Sequence, residues 1–309
     1  MTSQDVVGEL QIYRGYEDSD VDLLQSYITH SASIETDHYV DGFGVRTLFT
    51  AVPFCTTFTL DRLALPIPDD GFHSEGAEYV ALVDCVSRAS SSEFCAVEIG
   101  AGWGPWISLA GVMTRDLGVK EVSLVGIEAH PARFAQMREH LAYNHLRPIE
   151  DSDDTALNNV HCRLINGAAG VAPGWLWFPD TDVTDMGSAA SVENTAQDYR
   201  GASLKHIQVR AYSFDEIVRD LTHIDFCHID IQGLEYDLVA ANIVLLSQMV
   251  SGLVIGTHSR VIEGKLIELL YASGWYLHRE KPCRANWTAS VPSITGLTTV
   301  DGFQYWRRR

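Results

Sequence analysis

Residues 94–106, Phe-Cys-Ala-Val-Glu-Ile-Gly-Ala-Gly-Trp-Gly-Pro-Trp, constrain this chain more than any other stretch. A short apolar, partly β-branched run closes around Glu98, glycines follow at 100, 102 and 104, and an apolar stretch rich in helix formers begins at Trp106. The pattern predicts a strand, a tight turn and a helix. Glycines at such a turn allow positive φ and a close backbone approach to a ligand, and the following helix offers unpaired amides. The ligand this implies is a nucleotide-like cofactor. A dinucleotide fingerprint would put its third glycine at position 105, which is Pro105, so an NAD(P)-dependent oxidoreductase is the weaker alternative.

A second acid stands at the end of the next strand-like run, Glu-Val-Ser-Leu-Val-Gly-Ile-Glu, at Glu128. An acid followed by Gly-x-Gly, then this second acid, resembles the opening motifs of class I methyltransferases that use S-adenosylmethionine. That resemblance implies a turn of Glu98, Gly100, Ala101, Gly102 and Trp103 under the methionine end of the cofactor. It also implies ribose hydroxyls held by Glu128 beside Ala129. The small residues Gly167 and Ala168, at the end of the third strand, would let an adenine ring pack.

The 309 residues suffice for one large domain with an added N-terminal subdomain. A formal charge of −19 disfavours nucleic acid or an acidic membrane as partner, since such binding needs clustered Lys and Arg. The basic residues 307–309 read as a solvated terminus. The six cysteines form no Cys-x-x-Cys pair, and several sit inside apolar runs, as reduced thiols of a cytoplasmic protein do. No apolar stretch nears the ~18 residues of a membrane span, and the first residues lack a secretory pattern. Oligomeric state is not legible.

In chain order, residues 1–72 read as an α+β extension that contacts substrate or a second subunit. Its expected elements are a strand over 8–16, an amphipathic helix over 18–31 and a strand pair over 39–58 turning at Asp41-Gly42. Pro66, Pro68 and Asp69-Asp70-Gly71 mark a linker into the main domain, 73–309. A helix from Ser74 presents Val80, Val83 and Val86 on one face, with His73, Glu75, Glu78 and Tyr79 placed to edge a cleft. Strands and helices then alternate through residue 166, interrupted by a polar surface loop over 144–159. Residues 175–178 read as a strand, and 180–200, polar and aperiodic, as a lid. Residues 207–211 are expected to return to the sheet, followed by a short helix over 213–221 capped by Ser213 with Glu216. Strands over 224–231, 249–256 and 275–280 and a last antiparallel strand over 298–307 complete the pattern. The fold class is α/β: a Rossmann-like, seven-stranded, mostly parallel sheet with helices on both faces.

Across residues 74–280 the chain resembles the FkbM family of S-adenosylmethionine-dependent methyltransferases, which acts mainly on hydroxyls of sugars and natural products. The resemblance rests on residues 97–106, Gly-Ile-Glu-Ala-His-Pro at 126–131, Phe-Asp-Glu-Ile at 214–217, Ile-Asp-Ile-Gln-Gly-Leu-Glu at 229–235 and the strand ending in His258. The family pattern usually has Lys and Glu where this chain has His228 and Gln232. A lost carboxylate weakens any metal site, so Asp230 and Glu235 are ligands only if a metal is used, and metal-free chemistry is expected. Methyl transfer from a sulfonium is an in-line displacement that needs a base for the acceptor proton. Asp230 and His258, ending two neighbouring strands, are the candidates, with His258 neutral near its ordinary pKa of ~6.5 as the base. The Asn/Asp-Pro-Pro-Tyr motif of adenine amino-methyltransferases is missing, which points to an oxygen acceptor on a small molecule. Trp103, Trp106, Trp175 and Trp177 are candidates for stacking on sugar rings. A cofactor-binding domain without catalysis is the alternative outside enzymes, suggested by His228 and Gln232.

Overall fold

The computed structural model describes residues 14–52, 59–64, 76–146, 159–185, 187–194 and 205–308. The expected linker at 66–71, the helix start with His73 and Glu75, most of the 144–159 loop and the end of the expected lid lie outside these residues. So does most of the strand expected over 8–16; residues 14–16 form none.

The N-terminal part contains helix α1 (Asp18–Ser26) and a small antiparallel sheet of β1 (Ser33–Ile34), β2 (His38–Val40) and β3 (Arg46–Leu48). The helix stops short of residue 31 at Tyr27, whose amide bonds back to Leu24. Asp41 organises the β2–β3 turn, its carboxylate receiving the amides of Phe43 and Val45 at 2.9 and 3.0 Å. Leu24, Phe43 and Val45 enter the same apolar core as Tyr79 and Trp106.

In the main part, α2 (Gly76–Arg88) precedes β4 (Glu93–Ile99), α3 (Pro105–Asp116), β5 (Glu121–Glu128), α4 (Pro131–Tyr143) and β6 (Val160–Asn166). Strand β4 alternates between two cores, Phe94 and Ala96 into one and Cys95, Val97 and Ile99 into the other, as a strand covered on both faces must. The next segments depart from expectation. Strands β7 (Ala168–Ala169), β8 (Gly174–Pro179) and β9 (His206–Tyr212) form a separate three-stranded sheet in the order β7-β9-β8. The reason is in β9: His206, Gln208 and Arg210 alternate with apolar residues, which suits a half-exposed antiparallel partner for β8 and not a strand buried on both faces.

Helix α5 (Phe214–Val218) carries the expected capping box of Ser213 and Glu216. Strand β10 (Ile224–Ile229), α6 (Glu235–Met249), β11 (Val250–Thr257), α7 (Arg260–Ala272) and β12 (Trp275–Lys281) follow, then the short pair β13 (Arg284–Ala285) and β14 (Thr298–Val300), and finally β15 (Gly302–Arg308). The main sheet has the order β12-β15-β11-β10-β4-β5-β6, seven strands in which β15 runs antiparallel to both neighbours. Helices α2, α3 and α4 cover one face and α5, α6 and α7 the other. The parallel strands β4 and β10 are neighbours from which successive strands are added in opposite directions, β5 and β6 to one side and β11 to the other, so their carboxyl ends open a crevice at a topological switch point. Among the described residues no helix is long and apolar enough to cross a membrane.

Candidate active site

A crevice of about 500 Å³ lies at that switch point, large enough for a nucleoside-sized ligand. Its walls include every residue read from the sequence as cofactor-binding: Glu98, Gly100, Ala101, Gly102, Trp103, Glu128, Ala129, Gly167, Ala168 and Asp230. Gly100 has φ +78°, and a Cβ there would lie 1.7 Å from the carbonyl oxygen of Asp230. Only glycine therefore lets the ends of β4 and β10 close together. Both Gly100 and Ala101 donate to the carbonyl of Ile127 at 3.0 Å, tying the turn to β5.

The two strand-end acids have different surroundings. Glu98 receives the Ile107 amide at 2.9 Å and so closes the start of α3; burial pushes its pKa well up. Glu128 receives the amides of Gly102 at 2.9 Å and His130 at 2.7 Å, one on each oxygen, and burial raises its pKa as well. At the far wall Gly167 lies against Tyr212, followed by Ala168, Ala169 and Phe178. Part of the expected lid reaches the crevice: Thr184, Gly187, Ser188 and Ala190 line it. Arg133 holds that segment by the hydroxyl of Thr181 at 3.3 Å and the carbonyl of Asp185, and His130 Nε2 bonds the Thr181 carbonyl at 3.1 Å.

At the opposite end Asp230, Gln232, Leu234, Gly256, Asp301 and Gly302 form the floor. Behind Asp230, His258 is 3 % exposed at its side chain, with Nδ1 2.7 Å from Glu235 Oε1, Nε2 3.4 Å from Asp230 Oδ1 and 4.0 Å from Asp301 Oδ2. Burial alone would lower the pKa of this imidazole, but the carboxylates of Glu235 and Asp230 outweigh it and hold the pKa well above its ordinary value. The premise of a neutral His258 near pKa ~6.5 is thereby corrected. His228 is the opposite case: it pairs with Glu78 at 2.8 Å, and burial pushes its pKa down to about 4.

The tryptophans divide. Trp103 and Trp106 both line the crevice, but Trp106 is 2 % exposed and packs edge-on against Tyr79 at 5.0 Å, so it belongs to the core as well. Trp175 and Trp177 lie on β8, outside the crevice walls.

Residues 95–259, more than half of the chain, match the Methyltransferase FkbM domain. The chain belongs to the FkbM methyltransferase family. A protein of Jannaschia sp. (strain CCS1) with the name "Putative methyltransferase" is 30% identical over 298 residues, covering 92% of this chain and 97% of that protein. Precorrin-6y C5,15-methyltransferase from Geobacter metallireducens GS-15 aligns in structure with a TM-score of 0.41 at 12% identity, over 80% of this chain and 92% of that one. The METTL16 MTase domain aligns at 0.40 and 12% identity, over 94% and 90%.

Both departures of this FkbM methyltransferase from the usual family motif face its crevice. His228 meets Glu78 where the pattern has Lys, and Gln232, at φ +58°, donates from Nε2 to Asp230 Oδ1 at 3.1 Å. Asp301, Arg133 and Phe178 also line the crevice but carry no motif. Asp301 was detectable in principle, because an antiparallel last strand must begin at the carboxyl edge of its parallel neighbours. Arg133 had no signal beyond its place in the first turn of α4.

Proposed function

We propose that this FkbM-family methyltransferase moves a methyl group from S-adenosylmethionine to a hydroxyl of a small molecule, a sugar unit of a glycan or glycosylated natural product. The observation that carries the reading is the charge of the crevice: Glu78, Glu128, Asp230 and Asp301 line it against Arg133, among the described residues. Such a wall attracts a sulfonium cation and repels the pyrophosphate of a dinucleotide. The methionine end then lies over the turn of Gly100, Ala101 and Gly102 beside Trp103, the ribose hydroxyls on Glu128 next to Ala129, and the adenine against Gly167, Ala168 and Phe178.

In the reaction the acceptor oxygen forms a bond to the methyl carbon as the carbon–sulfur bond breaks, giving S-adenosylhomocysteine, a methyl ether and a proton. Asp230 is the group placed to take that proton, since its side chain is 35 % exposed at the crevice floor. His258 stands behind it as a positioning residue, tied to Glu235. The net charge of −19 supports a small acceptor over nucleic acid, and the five cysteines among the described residues, all buried free thiols, support work in a reducing cytoplasm. Calorimetry with S-adenosylhomocysteine and NADH, then transfer of tritiated methyl from the cofactor to glycan, natural-product and RNA panels, tests the reading. Binding of the sulfur cofactor with label on a sugar oxygen is expected. Binding of NADH alone, or label only in RNA, would overturn it.

A further inference from the structure

A second cavity, about 470 Å³ and open to solvent, is lined by Arg260, Cys283, Arg284, Ala285 and Trp287. It shares a wall with the crevice. Asp301 and Gly302 belong to the crevice floor, and a Cβ added at Gly302 would lie 2.7 Å from the amide nitrogen of Cys283 in the second cavity. Arg284 of β13 pairs in register with Val300 of β14, the residue before Asp301, and Arg260 opens α7 two positions after His258. One buried carboxylate fixes these pieces together. Glu263 Oε1 receives the Thr257 hydroxyl at 3.0 Å and the Cys283 amide at 2.6 Å, and its Oε2 lies 3.1 Å from Arg260 Nε, which orients that guanidinium.

The lining runs against the composition of the chain: two arginines and no acid, in a protein with 22 basic and 41 acidic residues. Trp287 is 69 % exposed, so its indole fills no core. The backbone beside it is anchored, because the Asn286 amide donates to the Leu297 carbonyl at 2.8 Å. An anchored indole face beside two guanidinium groups suits a ring that has an apolar face and carries an anionic substituent. We propose that this cavity binds an anionic sugar unit of the acceptor, next to the unit held over Asp230 and Asp301, with Trp287 stacked on the ring and Arg260 and Arg284 paired with its carboxylate or sulfate. The same side chains could meet a nucleotide, but a nucleic-acid strand carries a phosphate at every unit, including the one that would cross the acidic crevice floor. A saccharide can be neutral there and charged only at the arginines. That the bound saccharide is the methyl acceptor rests on the hydroxyl-transfer reading above; its binding in the second cavity does not.

The test is titration of the full chain, with and without S-adenosylhomocysteine, followed by the NMR signals of the indole N–H groups. The probes are a hyaluronan tetrasaccharide, in which carboxylate-bearing and neutral units alternate, a sulfated keratan tetrasaccharide, neutral cellotetraose and an RNA tetranucleotide. At least one charged saccharide should shift the Trp287 signal and bind about tenfold or more tighter than cellotetraose, with the advantage shrinking as salt is added; which of the two does so separates carboxylate from sulfate. Arg260→Gln and Arg284→Gln should each weaken that binding at least threefold without changing the affinity for cellotetraose, and Trp287→Ala should weaken it at least tenfold. Arg219→Gln, the same charge change at an exposed residue beside α5, should leave it unchanged. Circular dichroism confirms that each variant is folded. Binding of neither charged saccharide, equal affinity for charged and neutral ones, affinities unmoved by the arginine substitutions, or tighter binding of the RNA with the same arginine dependence would overturn the site. Charged saccharides bound as described, with tritiated methyl going to something other than a sugar, would leave the site standing and remove the acceptor reading. Methyl transfer to neutral sugars with no charged saccharide bound would do the reverse.

Discussion

The amide of Gly102 donates to the carboxylate of Glu128 across 2.9 Å, which joins the glycine turn after β4 to the acid that ends β5. The other Glu128 oxygen is taken by the His130 amide at 2.7 Å, so the carboxylate is fixed in plane and each oxygen keeps one lone pair for a ligand. A rigid acceptor of this kind suits a pair of ribose hydroxyls, because little motion is lost when they bind.

Glu128→Ala should therefore weaken S-adenosylhomocysteine binding by ~1.5 to 3 kcal/mol, the range for hydrogen bonds to a charged group. Calorimetry on a variant shown to be folded measures it. Unchanged affinity would remove Glu128 from the cofactor site.

Gly100 offers a sharper case. Gly100→Ala puts a Cβ 1.7 Å from the Asp230 carbonyl at a φ of +78°, so the ends of β4 and β10 must part. The variant should lose ~3 kcal/mol or more of stability and its cofactor affinity together. By contrast Gly118→Ala, at φ +72° with nothing near its Cβ, should cost only about 1 to 2 kcal/mol and leave affinity unchanged. Denaturation midpoints and calorimetry on both variants separate backbone strain from the clash.

These examples show what the sequence makes legible. A glycine turn and two strand-end acids are each read from a few neighbouring residues, so these parts of the crevice wall could be read directly. The main strands were legible because burial on both faces leaves continuous apolar runs such as residues 94–99. Strand β9 misled because seven residues with some apolar character fit either sheet, and only its pairing with β8 decides. His258 was legible as a strand-end residue but not in its charge state, which depends on Glu235, 23 positions earlier. Trp106 illustrates the same limit: a tryptophan after a glycine turn serves as wall or as core, and here it does both, lining the crevice while packing on Tyr79 of α2.

A pH effect follows from His140. It is buried, bonds the Trp103 carbonyl through Nδ1 at 3.0 Å and approaches Thr47 of β3, and burial pushes its pKa down to about 4. The unfolded chain takes up its proton near pH ~6.5 and the folded chain only near 4, so this group costs stability as pH falls between those values. At pH 5 the cost is about 2 kcal/mol relative to pH 7.5 or above. His140→Gln should lose less stability than wild type between those two pH values, measured by urea midpoints. Identical pH dependence would show that the ring takes up its proton in the fold.

Residues 180–194 should behave as a cover. Thr184, Gly187, Ser188 and Ala190 line the crevice, and Arg133 and His130 of the main domain hold the segment in place. Limited proteolysis within it should slow when S-adenosylhomocysteine is bound and accelerate in Arg133→Ala. Cleavage at one rate in all three samples would show that the segment neither senses the crevice nor depends on its anchor.

Asp230 carries the most direct chemical prediction. It is one of two acids of the floor, with Asp301, and Gln232 and His258 hold its Oδ1 from two sides, at 3.1 and 3.4 Å. Its second oxygen lies beside Gly256, where an added Cβ would approach it to 3.1 Å, so no larger residue there would leave the carboxylate its present room. A positioned base contributes ~10² to 10⁴ in rate to the deprotonation of an alcohol. Asp230→Asn keeps the shape and removes the basicity, so turnover should fall by about that factor while S-adenosylhomocysteine affinity changes little. Glu235→Gln acts through His258 and should lower turnover less, with the loss growing in acceptor KM as the floor loosens. If Asp230→Asn turns over at a near-normal rate, the base lies elsewhere, and the next group to test is His228, whose buried Nδ1 has no partner among the described residues on the same crevice wall.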